Sequence, residues 1–364
     1  MLNKELSVKL QRIRELIAQE GYSAVYIKRQ DNFSWLSCGR MNYIAAGGDM
    51  GNCGLLVTAD KTYSVCNNIE APRMIDEEEL EKLGFELHFG PWHDNGFESR
   101  TLAELGGDKV AKDHGPDNVH GKIQKLRFSL TPEEIERYQV GGRLVSRLVE
   151  EIAAFIRPGM TEIEVAGMME GRARADGLNA ISVFCGSDER IYKYRHPVAT
   201  AKVIRERVQM GGNFRYKGLT ICLTRYVNFV PLTDELRKQY MDNVLVDCRL
   251  MAASVPGESY QKPLMTAKNS YEELGYPGEF EKHHQGGPIG YVPRDYRVDF
   301  SHTGIIPENQ AFCWNPSITG TKSEDTIIST KDGIIFVTKP YLYPTVKVEV
   351  DGKVFERVAI LEKY

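Results

Sequence analysis

The segment 130–166 constrains the fold more than any other part of the chain, because its helix signals follow one another in a complete order. Thr131 is a typical N-cap residue, and Pro132 suits the first position of a helix. Apolar residues then recur at helical spacing. Pro158-Gly159 ends this helix, and Thr161 is placed to begin the next one. The sequence therefore predicts a helix pair that opens a domain of its own.

The residues before this pair predict a small α/β domain. Apolar residues at helical spacing from Leu6 to Ile17 predict a first helix, and Ala24–Ile27 reads as a buried strand. The runs 54–57 and 62–65 flank a turn and predict a hairpin, and 109–112 predicts a further strand. Helices and strands that alternate over such a length are typical of one α/β layer arrangement.

The residues after the helix pair mix strands and helices. Strand-like runs occupy 202–210 and 219–228, a helix is predicted over 233–243, and Pro256-Gly257 introduces another that ends near Gly275. The remaining residues read as strands and turns, which makes this part α+β. We therefore expect two domains, residues 1–127 and residues 128–364.

Composition excludes several classes of function. The formal net charge of 364 residues is -4, so no basic surplus indicates a nucleic-acid or anionic-membrane partner. No apolar run approaches the roughly 20 residues of a membrane span. The seven cysteines include no CxxC pair, which argues against a disulfide framework and a zinc knuckle. Reduced thiols favour a cytoplasmic location.

The order of motifs resembles a known family. The run LTPEEIERYQVGGRLVSRLVEEIAAFIRPGMTEIEVA is similar to the helix pair that opens the catalytic domain of aminopeptidase P, prolidase and creatinase, which belong to the M24 peptidase family. The resemblance implies a pita-bread fold preceded by a creatinase-type N-terminal domain. It also implies a homodimer in which the N-terminal domain of one subunit lies near the active site of the other. Further landmarks keep the family's order: His196-Pro197, Thr224-Arg225, the glycine-rich segment 286–290, Trp314-Asn315-Pro316 and Glu324-Asp325-Thr326.

The resemblance also implies where two metal ions would bind, and this chain departs from the family there. Two divalent ions require several hard oxygen ligands, usually carboxylates. Only Glu324 offers one, so the sequence predicts that the dinuclear site is absent and that the protein uses no cofactor. A single ion held by His283 or His284 together with Glu324 stays open. The resemblance places the five family positions on Gly211 (or Met210, if the alignment shifts by one residue), Cys222, Gly287, Asn315 and Glu324.

Creatinase, a metal-free member of this family, suggests roles for three residues. Its proton-shuttling histidine corresponds to His196, and a histidine suits that task because its pKa lies near neutrality. Arg294 matches an arginine that holds the substrate carboxylate. Arg40 resembles an arginine from the neighbouring subunit's N-terminal domain. Thr220 and Thr224 replace a tyrosine and a glutamate of creatinase, so creatine itself is not the expected substrate.

Several other residues are candidates for contact with the substrate. Strand alternation places Thr220, Cys222 and Thr224 on one face, which we expect to be the pocket face. Cys222 is either a small buried residue or a nucleophile activated by His196. His283 and His284 are adjacent and should point to opposite faces of a strand, so only one would face the pocket.

Arg225, Asn315 and Glu324 fall on the family's pocket strands. A buried Glu324 would need a cationic partner, either Lys322 or Arg225. Trp314 is either a core residue or a wall of the substrate site. Asn315 and the glycine backbone at 286–287 are candidate donors to a developing oxyanion.

Three functions compete at this point. The first is a metal-independent hydrolase or lyase acting on a C–N bond of a small carboxylate-bearing amide, amidine or amino-acid derivative, with His196 as proton shuttle. The second is a non-catalytic binding protein on a peptidase scaffold, since a fold alone does not prove chemistry. The third is an Xaa-Pro aminopeptidase or dipeptidase. The expected partners are a small-molecule or short-peptide substrate and a second copy of the chain, with no nucleic acid and no membrane.

Overall fold

The computed structural model describes residues 3–364. The chain forms two compact units, Met1–Glu134 and Ile135–Tyr364, whereas the sequence predicts a boundary after residue 127. No helix within 3–364 combines the length and the apolar character that crossing a bilayer requires.

The first unit is built around one mixed five-stranded sheet in the order β4-β3-β2-β1-β5. β1 pairs antiparallel with β2 and parallel with β5. Buried side chains such as Tyr26, Leu56 and Leu102 pack between this sheet and a helix. The strands are β1 (Ala24–Arg29), β2 (Met50–Thr58), β3 (Thr62–Asn67), β4 (Glu86–Gly90) and β5 (Val110–Lys112). The helices are α1 (Lys4–Glu20), α2 (Gln30–Leu36), α3 (Ala71–Asp76), α4 (Leu80–Leu83), α5 (Phe97–Gly106) and α6 (His120–Leu126).

The second unit combines helices with four separate sheets, two of them four-stranded. One four-stranded sheet has the order β17-β8-β7-β6 and the other the order β14-β13-β10-β9. The helices are α7 (Pro132–Phe155), which starts in the first unit, α8 (Glu162–Ala175), α9 (Glu189–Lys193), α10 (Asp234–Ala253) and α11 (Gln261–Glu273). The strands are β6 (Asn179–Ser187), β7 (Arg207–Tyr216), β8 (Leu219–Asn228), β9 (Gly286–Ile289), β10 (Gln310–Trp314), β11 (Ser317–Ile318), β12 (Thr321–Lys322), β13 (Asp325–Thr330), β14 (Gly333–Phe336), β15 (Thr345–Val350), β16 (Lys353–Val358) and β17 (Leu361–Glu362).

Reciprocal caps explain why the helix pair at α7 and α8 begins where the sequence predicts. The Thr131 backbone N–H donates to Glu134 Oε2 at 2.8 Å, and the Glu134 N–H donates back to Thr131 Oγ1 at 3.3 Å. Thr161 and Glu164 form the same arrangement at the start of α8. Each capping box satisfies backbone donors that a helix start leaves free, and a substitution of the cap residue by Ala typically costs about 1 kcal/mol.

Two predicted elements of the second unit need correction, and one strand has no counterpart in the prediction. The bounds predicted for the strand 202–210 are wrong, because β7 runs from Arg207 to Tyr216 and includes Gly211-Gly212. β6 was not predicted, since its mixture of polar, small and apolar residues lacks a clear period. The helix predicted over 233–243 continues to Ala253, because residues 244–251 bury an apolar surface in the core.

Contacts of Trp314 with the core of the second unit fix the position of β10. Trp314 is fully buried, stacks on Phe312 with ring centroids 5.4 Å apart, and donates from Nε1 to Ser254 Oγ at 2.9 Å. Trp314 is therefore a core residue and not a wall of a substrate site. This anchoring holds the start of the following loop, which carries Asn315, against the edge strand β9.

Candidate active site

The two four-stranded sheets of the second unit meet at Thr224 and Glu324. The Thr224 N–H donates to the Glu324 backbone oxygen at 3.1 Å, and the Thr224 hydroxyl donates to Glu324 Oε2 at 2.6 Å. Beside this contact lies a cavity of about 110 Å³. Its lining comprises Phe184, His196, Gly212, Asn213, His284, Pro293, Arg294, Asn315, Lys322 and Glu324.

Glu324 is an ionised carboxylate held between two cations. Lys322 Nζ lies 2.6 Å from its Oε2, and an Arg294 guanidinium nitrogen lies 3.9 Å from its Oε1. Burial by itself would raise the pKa of Glu324, but Lys322 and Arg294 outweigh burial and hold that pKa down to about 2. Two cations and one anion leave the cavity with one positive charge, which suits an anionic group of a ligand.

Three histidine rings converge beside the cavity, with one nitrogen of each within 4.8 Å of the others, and His196 and His284 are part of its lining. His196 Nε2 lies 3.3 Å from His283 Nε2, and the His283 and His284 ring centroids are 4.4 Å apart. Burial, followed by Lys322, lowers the pKa of His196. Burial and nearby cations also lower the pKa of His283 to about 2 and that of His284 to about 4. All three rings are therefore neutral at physiological pH.

The prediction that only one of His283 and His284 faces the pocket is wrong, because both rings lie near His196. The two side chains do not point to opposite faces, because they precede β9, which begins at Gly286. Outside a regular strand the alternation of side chains does not apply, and both rings lie beside His196.

Unpartnered polar atoms mark the cavity as a place for a ligand. Arg294 Nε and Asn315 Oδ1, in the lining, and His283 Nδ1, beside it, are buried and lack a hydrogen-bond partner among residues 3–364. Buried polar atoms of this kind are normally satisfied by protein, water or a bound molecule. Thr220 Oγ1 is also buried without such a partner, although Thr220 is not part of the lining.

Cys222 and Arg225, the other two candidate residues on β8, do not line the cavity. Cys222 is fully buried, and its thiol lies beside Cys313 and the Arg294 guanidinium, behind the cavity lining. Arg225 is also fully buried, but its guanidinium pairs with Glu150 at 2.9 Å and with Asp325 at 3.0 Å. Both carboxylate contacts make Arg225 a structural cation, and it does not line the cavity.

Arg40 belongs to the first unit. Its guanidinium donates to the backbone oxygens of Glu78 and, at 3.1 Å, of Ser37. These contacts occupy two of the donors that the resemblance assigned to a substrate carboxylate.

Some residues of the cavity carry no recognisable signal in the sequence. Asn213 pairs with Cys222 across β7 and β8 and donates to Ser182 Oγ at 2.7 Å. Phe184 lies on the unpredicted β6, and its ring centroid is 5.4 Å from that of His196. A correct prediction of β6 and β7 would have placed Phe184 and Asn213 by strand alternation.

The residues present do not fit the dinuclear metal site of the family. Gly211 has φ +144°, and a Cβ there would lie 2.2 Å from the Leu223 backbone oxygen, so the backbone has no room for an aspartate. Cys222 is a buried thiol and Asn315 a neutral amide. The one carboxylate, Glu324, is already paired with an ammonium group. These residues do not supply the several hard oxygen ligands that two divalent ions require.

Larger cavities occur elsewhere in the second unit. One of about 480 Å³ lies beside Val140 and Tyr341, and one of about 510 Å³ lies beside Tyr192 and Leu236. Neither is lined by the histidines or by Glu324. We therefore assign the chemistry to the smaller cavity, on the basis of its residues and not of its size.

Similarity to known proteins agrees with this architecture. An uncharacterized peptidase of Bacillus subtilis, YqhT, is 23% identical over 362 residues, which cover 90% of this chain and 96% of that protein. An uncharacterized peptidase of Staphylococcus saprophyticus is 26% identical over 227 residues, 59% of this chain and 64% of its own length.

Solved structures resemble the chain over almost its whole length. The Xaa-Pro dipeptidase from Bacillus anthracis superposes with a TM-score of 0.73 at 21% identity, covering 92% of this chain and 98% of that one. A dipeptidase from Pyrococcus horikoshii gives 0.76 at 19% identity, covering 92% and 98%. The N-terminal domain of the FACT complex subunit SPT16 from chickpea gives 0.67 at 14%, covering 92% and 97%.

These likenesses confirm the predicted fold class, an α+β pita-bread domain preceded by a smaller α/β domain. The model of metallopeptidase family M24 matches residues 136–339, which include His196, the glycine-rich segment and Glu324. The chain therefore belongs to metallopeptidase family M24.

Proposed function

We propose that the chain is a metal-independent hydrolase that cleaves a C–N bond of a small carboxylate-bearing amide or amidine, with His196 as the proton shuttle. The observation that carries this proposal is the position of the Lys322 ammonium, 2.6 Å from Glu324, the only carboxylate at the five ligand positions of the family. A protein cation supplies positive charge at that carboxylate, where relatives with the full ligand set would place metal.

The size and charge of the cavity indicate the substrate class. The cavity is small, about 110 Å³, which suits a small substrate. Arg294, with a largely buried guanidinium and an unpartnered Nε, suits a carboxylate because such pairs form charge-assisted hydrogen bonds.

His196 has the properties of a general base. Its lowered pKa keeps the imidazole neutral near pH 7, so a lone pair is available. A water oxygen bonds to the amide carbon while one of its protons passes to His196. The imidazolium then donates that proton to the leaving nitrogen, and the C–N bond breaks to give a carboxylic acid and an amine. The nearby Lys322 disfavours the imidazolium and so promotes the second transfer.

A substrate panel tests this proposal. EDTA-treated protein is assayed against N-acyl amino acids, amidino acids and Xaa-Pro dipeptides, with wild type, His196→Ala and the exposed-histidine control His93→Ala. We expect turnover of an N-acyl or amidino acid that survives EDTA, persists in the control and falls by about 100-fold or more in His196→Ala.

Two results would contradict the proposal. Cleavage of Xaa-Pro dipeptides that requires added Mn²⁺ or Co²⁺ would favour a metal-dependent peptidase. Binding of panel members without any turnover would favour a non-catalytic binding protein.

A further inference from the structure

The position of the proton on His284 follows from one backbone hydrogen bond. The Gly286 N–H donates to His284 Nδ1 at 3.1 Å. A ring nitrogen that accepts a hydrogen bond carries no hydrogen, so a neutral imidazole must carry its hydrogen on Nε2. Gly286 has φ +95°, and a Cβ there would lie 2.3 Å from the Cys313 oxygen, so the direction of this N–H depends on glycine at the start of β9.

His284 is also held in its neutral form. Burial, then Arg294, His196, Lys322 and Arg297, lower the pKa of His284 to about 4. Protonation at Nδ1 would place two hydrogens against each other at the contact with Gly286. The ring is therefore a neutral hydrogen-bond donor over the range in which an ordinary histidine titrates.

The donor end of His284 is free to meet a ligand. The ring lines the cavity, and its Nε2 has no hydrogen-bond partner among the described residues. Gly286 N–H, which the sequence suggested as an oxyanion donor, is committed to His284 Nδ1. A hydrogen bond into Nδ1 polarises the ring and strengthens the donor at Nε2.

We propose that His284 is a second functional histidine, which donates a hydrogen bond from Nε2 to the carbonyl oxygen of the substrate as negative charge develops on it. This role rests on the proposed amide hydrolysis. The two histidines would then have separate roles: His196 transfers the proton and His284 stabilises the oxyanion. Their ring centroids are 6.0 Å apart. A donor aimed at developing charge stabilises the transition state more than the substrate.

The same three rings also invite a different assignment, a transition-metal site. The 3.3 Å between His196 Nε2 and His283 Nε2 matches one edge of a tetrahedral zinc site with bonds of about 2.0 Å. A metal needs a lone pair from each ring, however, and the only lone pair of His284 already accepts the Gly286 N–H. The cations Lys322 and Arg294 would also repel a divalent ion. The donor assignment is therefore favoured, and metal binding becomes an outcome of the test.

Nitrogen NMR tests the tautomer without any substrate. The full chain is labelled with ¹⁵N-histidine and treated with EDTA, and the His284 signals are assigned by their loss in His284→Gln. We expect the proton on Nε2 and an unprotonated Nδ1, unchanged from pH 8 to pH 5.5. Addition of acetate, used as an oxygen acceptor, should shift the Hε2 resonance. A proton on Nδ1, titration near pH 6.5, no shift at saturating acetate, or stoichiometric Zn²⁺ binding at Nε2 would each overturn the proposal.

Kinetics separate a donor from a structural role. A glutamine side chain places an N–H near the position of Nε2, whereas an asparagine is too short to reach it. We expect kcat to fall about 100-fold in His284→Asn with KM changed only a few-fold, and His284→Gln to recover at least about ten-fold. Equal losses in both variants would overturn the donor role. Because the NMR result does not depend on turnover, failure of the hydrolase proposal remains distinguishable from failure of this one.

Discussion

Lys322 Nζ lies 2.6 Å from Glu324 Oε2, and each side chain is only 6% exposed, so the pair forms a buried ion pair inside the candidate site. In relatives that keep the full ligand set, this glutamate would serve a metal ion. Here a lysine on β12 takes up its charge. In the proposed metal-independent mechanism, Lys322 supplies the positive charge that keeps this carboxylate ionised while the other four positions are neutral.

Removal of Lys322 should destabilise the protein strongly. In Lys322→Met, Glu324 keeps Thr224 and the more distant Arg294 but loses its closest cation. We expect the free energy of unfolding in urea at pH 7 to fall by roughly 3–5 kcal/mol. The double variant Lys322→Met/Glu324→Gln should recover most of this loss, because no buried charge is left unpaired. A single variant as stable as wild type would contradict the pairing.

Arg225 should matter for stability and not for substrate binding. Arg225→Leu leaves the buried Glu150 without its paired cation and leaves Asp325 with Arg357 alone, so we expect a loss of about 3–5 kcal/mol in the free energy of unfolding. Arg237 also pairs with a carboxylate at 3.0 Å, but its side chain is 55% exposed. The matched change Arg237→Leu should therefore cost less than about 1 kcal/mol in the same urea titration. Equal effects of the two changes would refute the assignment.

Two alanine substitutions should have opposite effects. Gly211→Ala introduces a Cβ 2.2 Å from the Leu223 oxygen, so thermal unfolding should occur at a clearly lower temperature. Gly167 lies exposed in the middle of α8, with no atom near the position of a Cβ. Gly167→Ala should stabilise the protein by about 1 kcal/mol through helix propensity. Tolerance of Ala at Gly211 would show that the backbone there can accept a side chain.

The stability should fall as the pH is lowered through a window set by the half-buried His283. The pKa of His283 is lowered to about 2, so the folded state binds fewer protons than the unfolded state below the ordinary histidine pKa. This stabilisation is complete above about pH 6.5 and is lost as the pH falls from there towards the folded pKa. Between pH 6 and pH 4.5, wild type should lose up to about 1.4 kcal/mol per pH unit more than His283→Gln. Parallel curves in urea titrations at several pH values would contradict this.

Alkylation tests whether Cys222 is a nucleophile. Cys38 is partly exposed and the other six cysteines are buried. Iodoacetamide should therefore label Cys38 in the native protein and leave Cys222 unmodified, as read by peptide mass spectrometry. Labelling of all seven in urea serves as the control. Rapid native labelling of Cys222 would favour the nucleophile hypothesis over the buried-thiol interpretation.

The sequence alone determined the features that depend on local chemistry. Thr131 and Thr161 predicted both helix starts because a cap requires only residues three positions apart. At the positions that the resemblance matches to the metal ligands, Gly211, Cys222, Gly287 and Asn315, residue identity by itself shows that no carboxylate is present. A capped helix and a missing carboxylate need no tertiary contact to be recognised.

The assembly of the site depends on contacts between segments that lie far apart in the sequence. His196 and His283 are 87 positions apart, yet their nitrogens lie 3.3 Å from each other. The sequence allows either Lys322 or Arg225 to pair with Glu324, and the side-chain positions that neighbouring strands impose select Lys322. The tautomer of His284 likewise follows from a backbone direction at Gly286. Such relationships arise from packing between distant segments, which no local pattern in a chain encodes.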